Sequence, residues 1–211
     1  MIPLSEITSR VRTKFEAEST TKWENQGIYD AINEGLDELS EQTLFYERYV
    51  TIPINPDQTY YDLRGYLPET IIGVTSVWST VRGDWLTPIE EDDLGFKWEE
   101  STGDPQMFWL RGIYWLGVWP KGSSTSTGYL RVHFAGMAPR FSTPQDVLSD
   151  LPDDLVPALE EYALYELNAQ DRETERSLAH WEKYQKMEKQ LGDFIDKRIV
   201  RAKHGVLGGR R

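Results

Sequence analysis

The stretch IYDAINEGLDELSEQTLFYERYVTIPI, residues 28–54, changes its hydrophobic period part-way along. Ile28, Ile32, Leu36 and Leu39 recur at four- and three-residue steps, which places them on one face of a helix. The opposite face is Asn, Asp and Glu. From Val50 the period drops to two. Val50, Ile52 and Ile54 alternate with Thr51 and Pro53, the pattern of a half-buried strand. A helix therefore gives way to β structure near residue 44.

Upstream, Leu4, Ile7, Val11 and Phe15 mark an earlier helix, with Pro3 suited to its first turn. Thr21-Lys22-Trp23-Glu24 reads as a capping box opening the second helix. Downstream, residues 44–141 hold six of the eight Trp and seven of the eleven Pro. Leu130, Val132 and Phe134 alternate with Arg131 and His133. Arg111-Gly112 is predicted to be a two-residue hairpin turn. Six to eight short strands are expected, closing into a sandwich or small barrel, with a short acidic helix or loop over residues 89–100. Pro152, Asp153 and Asp154 read as a helix start. Leu155, Leu159, Tyr162 and Leu167 give one further stripe, and Leu178, Trp181, Tyr184, Leu191 and Ile195 another. Residues 168–174 are compatible with a turn or with continuous helix.

The expected fold class is α+β: a bundle of N- and C-terminal helices with an inserted antiparallel β domain. The divisions are residues 1–43, 44–141 and 142–196, followed by a basic arm, 197–211. The simplest arrangement packs the two helical ends together, because each amphipathic face must be buried.

Composition narrows the chemistry. The chain has 211 residues, 39% of them hydrophobic, enough to build a core. No Cys is present, which excludes disulfides, thiol nucleophiles and thiolate metal sites. The apolar run Ile113 to Trp119 is too short for a membrane span, and the N-terminus lacks a secretory pattern. A soluble intracellular product with no membrane association is expected. Net charge is −12, but Lys197, Arg198, Arg201, Lys203, Arg210 and Arg211 put +6 on the last fifteen residues, leaving −18 on the rest. An acidic body does not suit a sequence-specific DNA binder. The arm, which also carries Val206 and Leu207, should be unordered until a partner holds it.

Catalytic candidates are thin. Glu90, Glu91, Asp92 and Asp93, or Asp150, Asp153 and Asp154, could pair carboxylates, but they read first as a solvated loop and a helix start. His133 and His180 have no neighbouring ligands to complete a metal set. Nucleotide, hydrolase and metalloprotease motifs are missing. No enzyme, cofactor or metal is expected. Trp85, Trp98, Trp115 and Trp119 are candidate interface aromatics, because Trp dominates contact energies. Stacking on sugar rings is the lesser reading, and a carbohydrate- or receptor-binding module is the alternative function. Basic residues are not interleaved with them, which argues against a nucleic-acid platform.

The order of features resembles the head–tail adaptor (connector) proteins of tailed bacteriophages. It is carried by Ile28-Tyr-Asp-Ala-Ile-Asn-Glu-Gly, Leu44-Phe-Tyr-Glu-Arg-Tyr-Val, Gln58-Thr-Tyr-Tyr-Asp-Leu and Leu67-Pro-Glu-Thr-Ile-Ile-Gly-Val. Gly103-Asp-Pro, Trp119-Pro, Leu130-Arg-Val-His-Phe and Leu151-Pro-Asp-Asp-Leu follow in order. The resemblance implies a structural protein of the virion neck, forming a dodecameric ring beneath the portal and linking it to a tail or nozzle protein. It assigns Lys197, Arg198, Arg201, Lys203, Val206, Leu207, Arg210 and Arg211 to portal docking. It also implies passage of double-stranded DNA without sequence-specific binding.

Overall fold

The structure, a computed structural model, describes residues 2–18, 21–67, 71–95, 97–147 and 149–207; the side chains of Glu18 and of residues 196–207 lie outside the description. The fold is α+β. The chain divides into two units, one of residues 1–46 with 138–211 and one of residues 47–137.

The first unit is a helical bundle of α1 (Leu4–Glu18), α2 (Asn25–Thr43), α3 (Pro157–Gln170) and α4 (Thr174–Leu207). Leu4, Ile7, Val11 and Phe15 of α1 and Ile28, Ile32, Leu36 and Leu39 of α2 are all buried in one core. Phe45, Tyr46, Ala138 and Phe141 pack with the same core, so this unit extends a few residues past α2 and begins again before residue 142. Asn33 clasps the returning chain. Its amide donates to Phe141 O at 3.0 Å, and Phe141 N–H donates to its Oδ1 at 2.8 Å, both buried. The sequence reading had no sign of that clasp.

Three local expectations are corrected here. Glu24, not Thr21, is the N-cap of α2, and it makes no side-chain capping bond. The Thr21 hydroxyl instead donates to Asp171 at 2.7 Å, a tertiary partner that a local motif cannot anticipate. Helix α3 starts at Pro157 rather than near Pro152, since proline fits the first helical turn and residues 152–156 form turns before it. Leu178 is 55% exposed and leaves the predicted stripe of α4. Tyr184 and Leu191 are buried as expected, and Ser177 and His180 complete the face in place of Leu178, with His180 paired to the buried Glu161 of α3.

Residues 171–173 form the turn between α3 and α4, with Arg172 at φ 64°. Helix α3 lies centrally and is buried on most sides through Ala158, Leu159, Ala163, Leu164 and Leu167. The end of the chain also departs from expectation. Helix α4 continues to Leu207, so residues 197–207 are helical rather than a loose arm. Lys, Arg and Ala are good helix formers, and one interior Gly costs only about 1 kcal/mol.

The second unit pairs β1 (Glu47–Pro53), β10 (Tyr129–Gly136), β3 (Ile71–Ser79) and β4 (Asp84–Trp85) in that order, all antiparallel. A second sheet runs β2 (Tyr60–Asp62), β8 (Trp115–Trp119), β7 (Met107–Arg111) and β5 (Thr87–Pro88). A short pair joins β6 (Thr102–Gly103) and β9 (Lys121–Gly122). Ile52, Val77, Leu130, Val132 and Phe134 from the first sheet share one core with Tyr61, Phe108, Leu116 and Val118 from the second. Two sheets over one core make a sandwich.

The pairing is not wholly antiparallel. β5 runs parallel to β7 and β6 parallel to β9, each after a connection long enough to return in the same direction. The β7–β8 hairpin turns through Gly112, Ile113 and Tyr114, not two residues, since Arg111 pairs with Trp115. Gly112 takes the left-handed conformation, φ +63°. Residues 91–93 and 98–100 are 3-10 turns.

Candidate assembly surfaces

The aromatic residues of the β unit sort into two clusters and a tip. In the first cluster, Trp109 crosses the edge of Trp98 at 5.2 Å and of Tyr60 at 5.7 Å. Trp119 Nε1 donates to Trp98 O at 3.1 Å. Trp98 and Trp119 are thus half-buried and used within the unit. Glu91 fastens this cluster from the 3-10 turn. It accepts from Tyr60 Oη and Arg111 Nε, both at 2.6 Å, and pairs with Arg111 Nη2. The Arg111 bond holds the Glu91 carboxyl below its usual range. Burial, then the Glu91 bond, pushes the Tyr60 phenol up to about 12. A carboxylate committed in this way is poorly placed to move protons. Its neighbours Asp92 and Asp93 are exposed.

The second cluster covers one face of the β1–β10–β3–β4 sheet. Trp85 meets Trp78 at 5.2 Å and His133 at 5.0 Å, and His133 meets Tyr49 at 5.4 Å. Burial lowers the His133 pKa, which favours the neutral ring. Arg131 stacks 5.8 Å from the Tyr49 centroid, and Tyr49 is 57% exposed. Tyr129 is also exposed on the same strand as Arg131 and His133. Trp115 stands at the hairpin tip, 42% exposed beneath the Arg64 guanidinium at 5.7 Å, with exposed Leu110 and Ile113 nearby in the chain. Sequence reasoning singled out Trp and passed over Tyr49, Tyr129 and Ile113. The outward register of Tyr49 and Tyr129 on their strands, and the place of Ile113 in the hairpin turn, are what reveal them.

The helical unit carries a charge network that no motif announced. Glu160 and Glu161 of α3 are buried, yet Lys14 Nζ reaches Glu160 at 2.8 Å and Glu161 at 3.2 Å. Arg10 reaches Glu160 at 3.2 Å, and His180 Nδ1 lies 2.7 Å from Glu161. Burial opposes ionisation of Glu161, but His180, Lys14 and Lys183 outweigh it and hold the carboxyl at about 2. His180 is therefore a structural partner within the bundle.

Lys197, Arg198, Arg201, Lys203, Val206 and Leu207 lie on the last turns of α4, where side chains are outside the described residues; Arg210 and Arg211 lie beyond them. Among the described residues, no group of three or more His, Asp or Glu is placed to hold a metal ion. No described helix is long and apolar enough to cross a membrane.

Two comparisons with known proteins bear on these surfaces. A family model described as SU10 adaptor protein matches residues 2–205. No curated protein matches the chain.

Proposed function

The chain belongs to the SU10 adaptor protein family, a family of bacteriophage head–tail adaptors, and from that premise we propose that it forms a ring beneath the portal and joins it to the tail. The structural adaptor role follows from the family; the ring, its contacts and the DNA path are this reading's own. The match across both units carries it, because the helical frame, the β unit and most of the basic end fall inside residues 2–205.

In this reading the basic end of α4 docks on the portal, as an extension that leaves the bundle core at Leu191 and Ile195. Contacts between neighbouring copies are heterologous, since a closed ring needs two different surfaces on each copy. The exposed Tyr49 and Tyr129 face and the Trp115 tip supply aromatic anchors for neighbours or the tail. Double-stranded DNA passes through the ring without specific binding. The −18 carried outside the last fifteen residues repels phosphate and limits sticking. The site of action is the virion neck.

The test is mass photometry of the full chain mixed with portal rings from the same phage. A stepwise gain near a dozen copies per ring is expected. The same chain with Arg201 and Lys203 changed to Glu should add little. Portal rings that gain no mass from the full chain would defeat the reading.

A further inference from the structure

The seam between α2 and α4 carries negative charge without a cation. Gly35 lets Tyr162 of α3 lie directly on α2, since a Cβ there would stand 2.8 Å from the Tyr162 ring. Tyr184 of α4 meets the same ring edge-on at 5.1 Å. Glu38 follows Gly35 by three residues and Glu188 follows Tyr184 by four, so each carboxylate lies one helical turn beyond the tyrosine pair. Both are half-buried. Glu34 and Glu166 add to the field at Tyr162. Among the described residues, no cation forms a salt bridge with Glu38, Glu166 or Glu188, and Arg140 feels the charge of Glu34 without bridging to it. Gln42 and Gln170 amides donate to Glu38 and Glu166, and Arg140 is engaged by Asp37.

A second observation points to a ligand. Tyr184 is 0% exposed, and its hydroxyl has no hydrogen-bond partner. Burial first, and then the charges of Glu188 and Glu38, raise the pKa of this phenol, so both carboxylates lie near it. A buried, unpaired hydroxyl under two uncompensated carboxylates is costly in the free chain. A guanidinium or ammonium group seated between the carboxylates would neutralise the pair beside the half-buried Tyr162 ring.

We propose that this seam, formed by Glu38 and Glu188 over Tyr162 and Tyr184, receives a basic side chain from the C-terminal segment of a second copy of the chain. The inference rests on the reading of the chain as a ring-forming adaptor with a docking end. Charge complementarity selects the occupant, since the last fifteen residues hold six cations and no acid. A chain's own segment cannot serve. As far as Leu207 it continues helix α4 away from Glu188, and Arg201 lies about 20 Å further along the axis at 1.5 Å per residue. One seam takes one or two cations, which leaves the others for the portal.

A fluorescein-labelled peptide of residues 197–211, titrated with the full chain at low salt, tests this by anisotropy. Saturable binding is expected, weakened at least tenfold in the Glu38→Gln, Glu188→Gln double variant. An Asp92→Asn, Asp93→Asn control should stay within twofold. The Gln variants keep volume and remove repulsion, so their melting temperature should not fall. Equal loss in variant and control, or no binding to the full chain, overturns the seam assignment. If the full chain still adds mass to portal rings, only this inference fails; if it does not, the adaptor reading fails with it.

Discussion

Gly117 on β8 faces Trp109 on β7, and their contact offers the sharpest test of the β unit. A Cβ placed on Gly117 would lie 2.1 Å from Trp109 Cε2 and 2.4 Å from Cζ2. Ordinary carbon contacts need about 3.5–4.0 Å, so the overlap is about 1.5 Å. The strand cannot yield easily, because β8 is paired with β2 on one side and β7 on the other. The indole must swing out instead. It would then lose its edge-on contacts with Tyr60 and Trp98, each worth about 0.5–1.5 kcal/mol. It would also expose about half of a large ring, another ~2 kcal/mol at ~25 cal/mol per Å2. The expected cost of Gly117→Ala is about 2–4 kcal/mol. For a chain of this size that lowers the melting temperature by about 5–15 °C. In a Trp109→Leu background the obstacle is gone, and Ala should be neutral or better, since strand glycine is itself unfavourable by about 0.5–1 kcal/mol. Urea titrations of the four proteins give the coupling energy directly. If Gly117→Ala costs the same in both backgrounds, Trp109 is not what demands glycine there, and the packing described for this cluster is wrong.

Three further outcomes are expected. Asn33→Ala should destabilise by about 2–4 kcal/mol, because both Phe141 backbone groups would be left buried and unpaired; a loss under 0.5 kcal/mol in urea would show that the clasp is unimportant. Glu161 is held at about 2 in the fold, below its unfolded value, so its stabilisation is present above about pH 4.3 and is lost as pH falls toward 2. Glu161→Gln should remove that part of the acid limb in melts between pH 5 and 2, and an unchanged limb would contradict the network. Glu91→Gln should bring the Tyr60 phenol down from about 12 toward the ordinary value near 10, followed by tyrosine carbon NMR against pH; no movement would leave burial as its sole cause.

Much of the frame was legible because it depends on periodicity. Leu4, Ile7, Val11 and Phe15 had one face to bury, as did Leu130, Val132 and Phe134, and both sets are in cores. What escaped depends on partners far along the chain. Asn33 looks like any polar residue on a helix until Phe141 returns beside it. Glu160 and Glu161 look like surface charges until Lys14 and His180 arrive from other helices. Thr21 matched a local capping pattern and was taken by Asp171 instead. Leu178 was assigned to a stripe because it is apolar, but the rotation of α4 is set by His180 and Tyr184 further along. The surface anchors were hardest to read, since Tyr49 and Tyr129 are distinguished only by strand register.

Two glutamates one helix apart show how the bundle separates structural charge from charge left for assembly. Glu161 on α3 is surrounded by His180, Lys14 and Lys183, and its pKa falls. Glu188 on α4 is pushed the other way, by burial and then by Glu38. The linkage signs are therefore opposite. Glu161 stabilises the fold as pH rises past its unfolded value, whereas Glu188 weighs against it once both forms are ionised. A neutral residue at position 188 would cost the isolated fold little, because no salt bridge within the described chain holds Glu188. The charge gains a use when another molecule neutralises it. A cation that removes the repulsion binds more tightly for that reason, since the free chain already bears the strain. Copies carrying like net charge repel one another at long range, so a contact between them needs local inversion of sign. The basic segment against the acidic seam supplies that inversion, and raising salt should weaken peptide binding to the seam and hardly affect the melting temperature of the β unit, whose core is apolar.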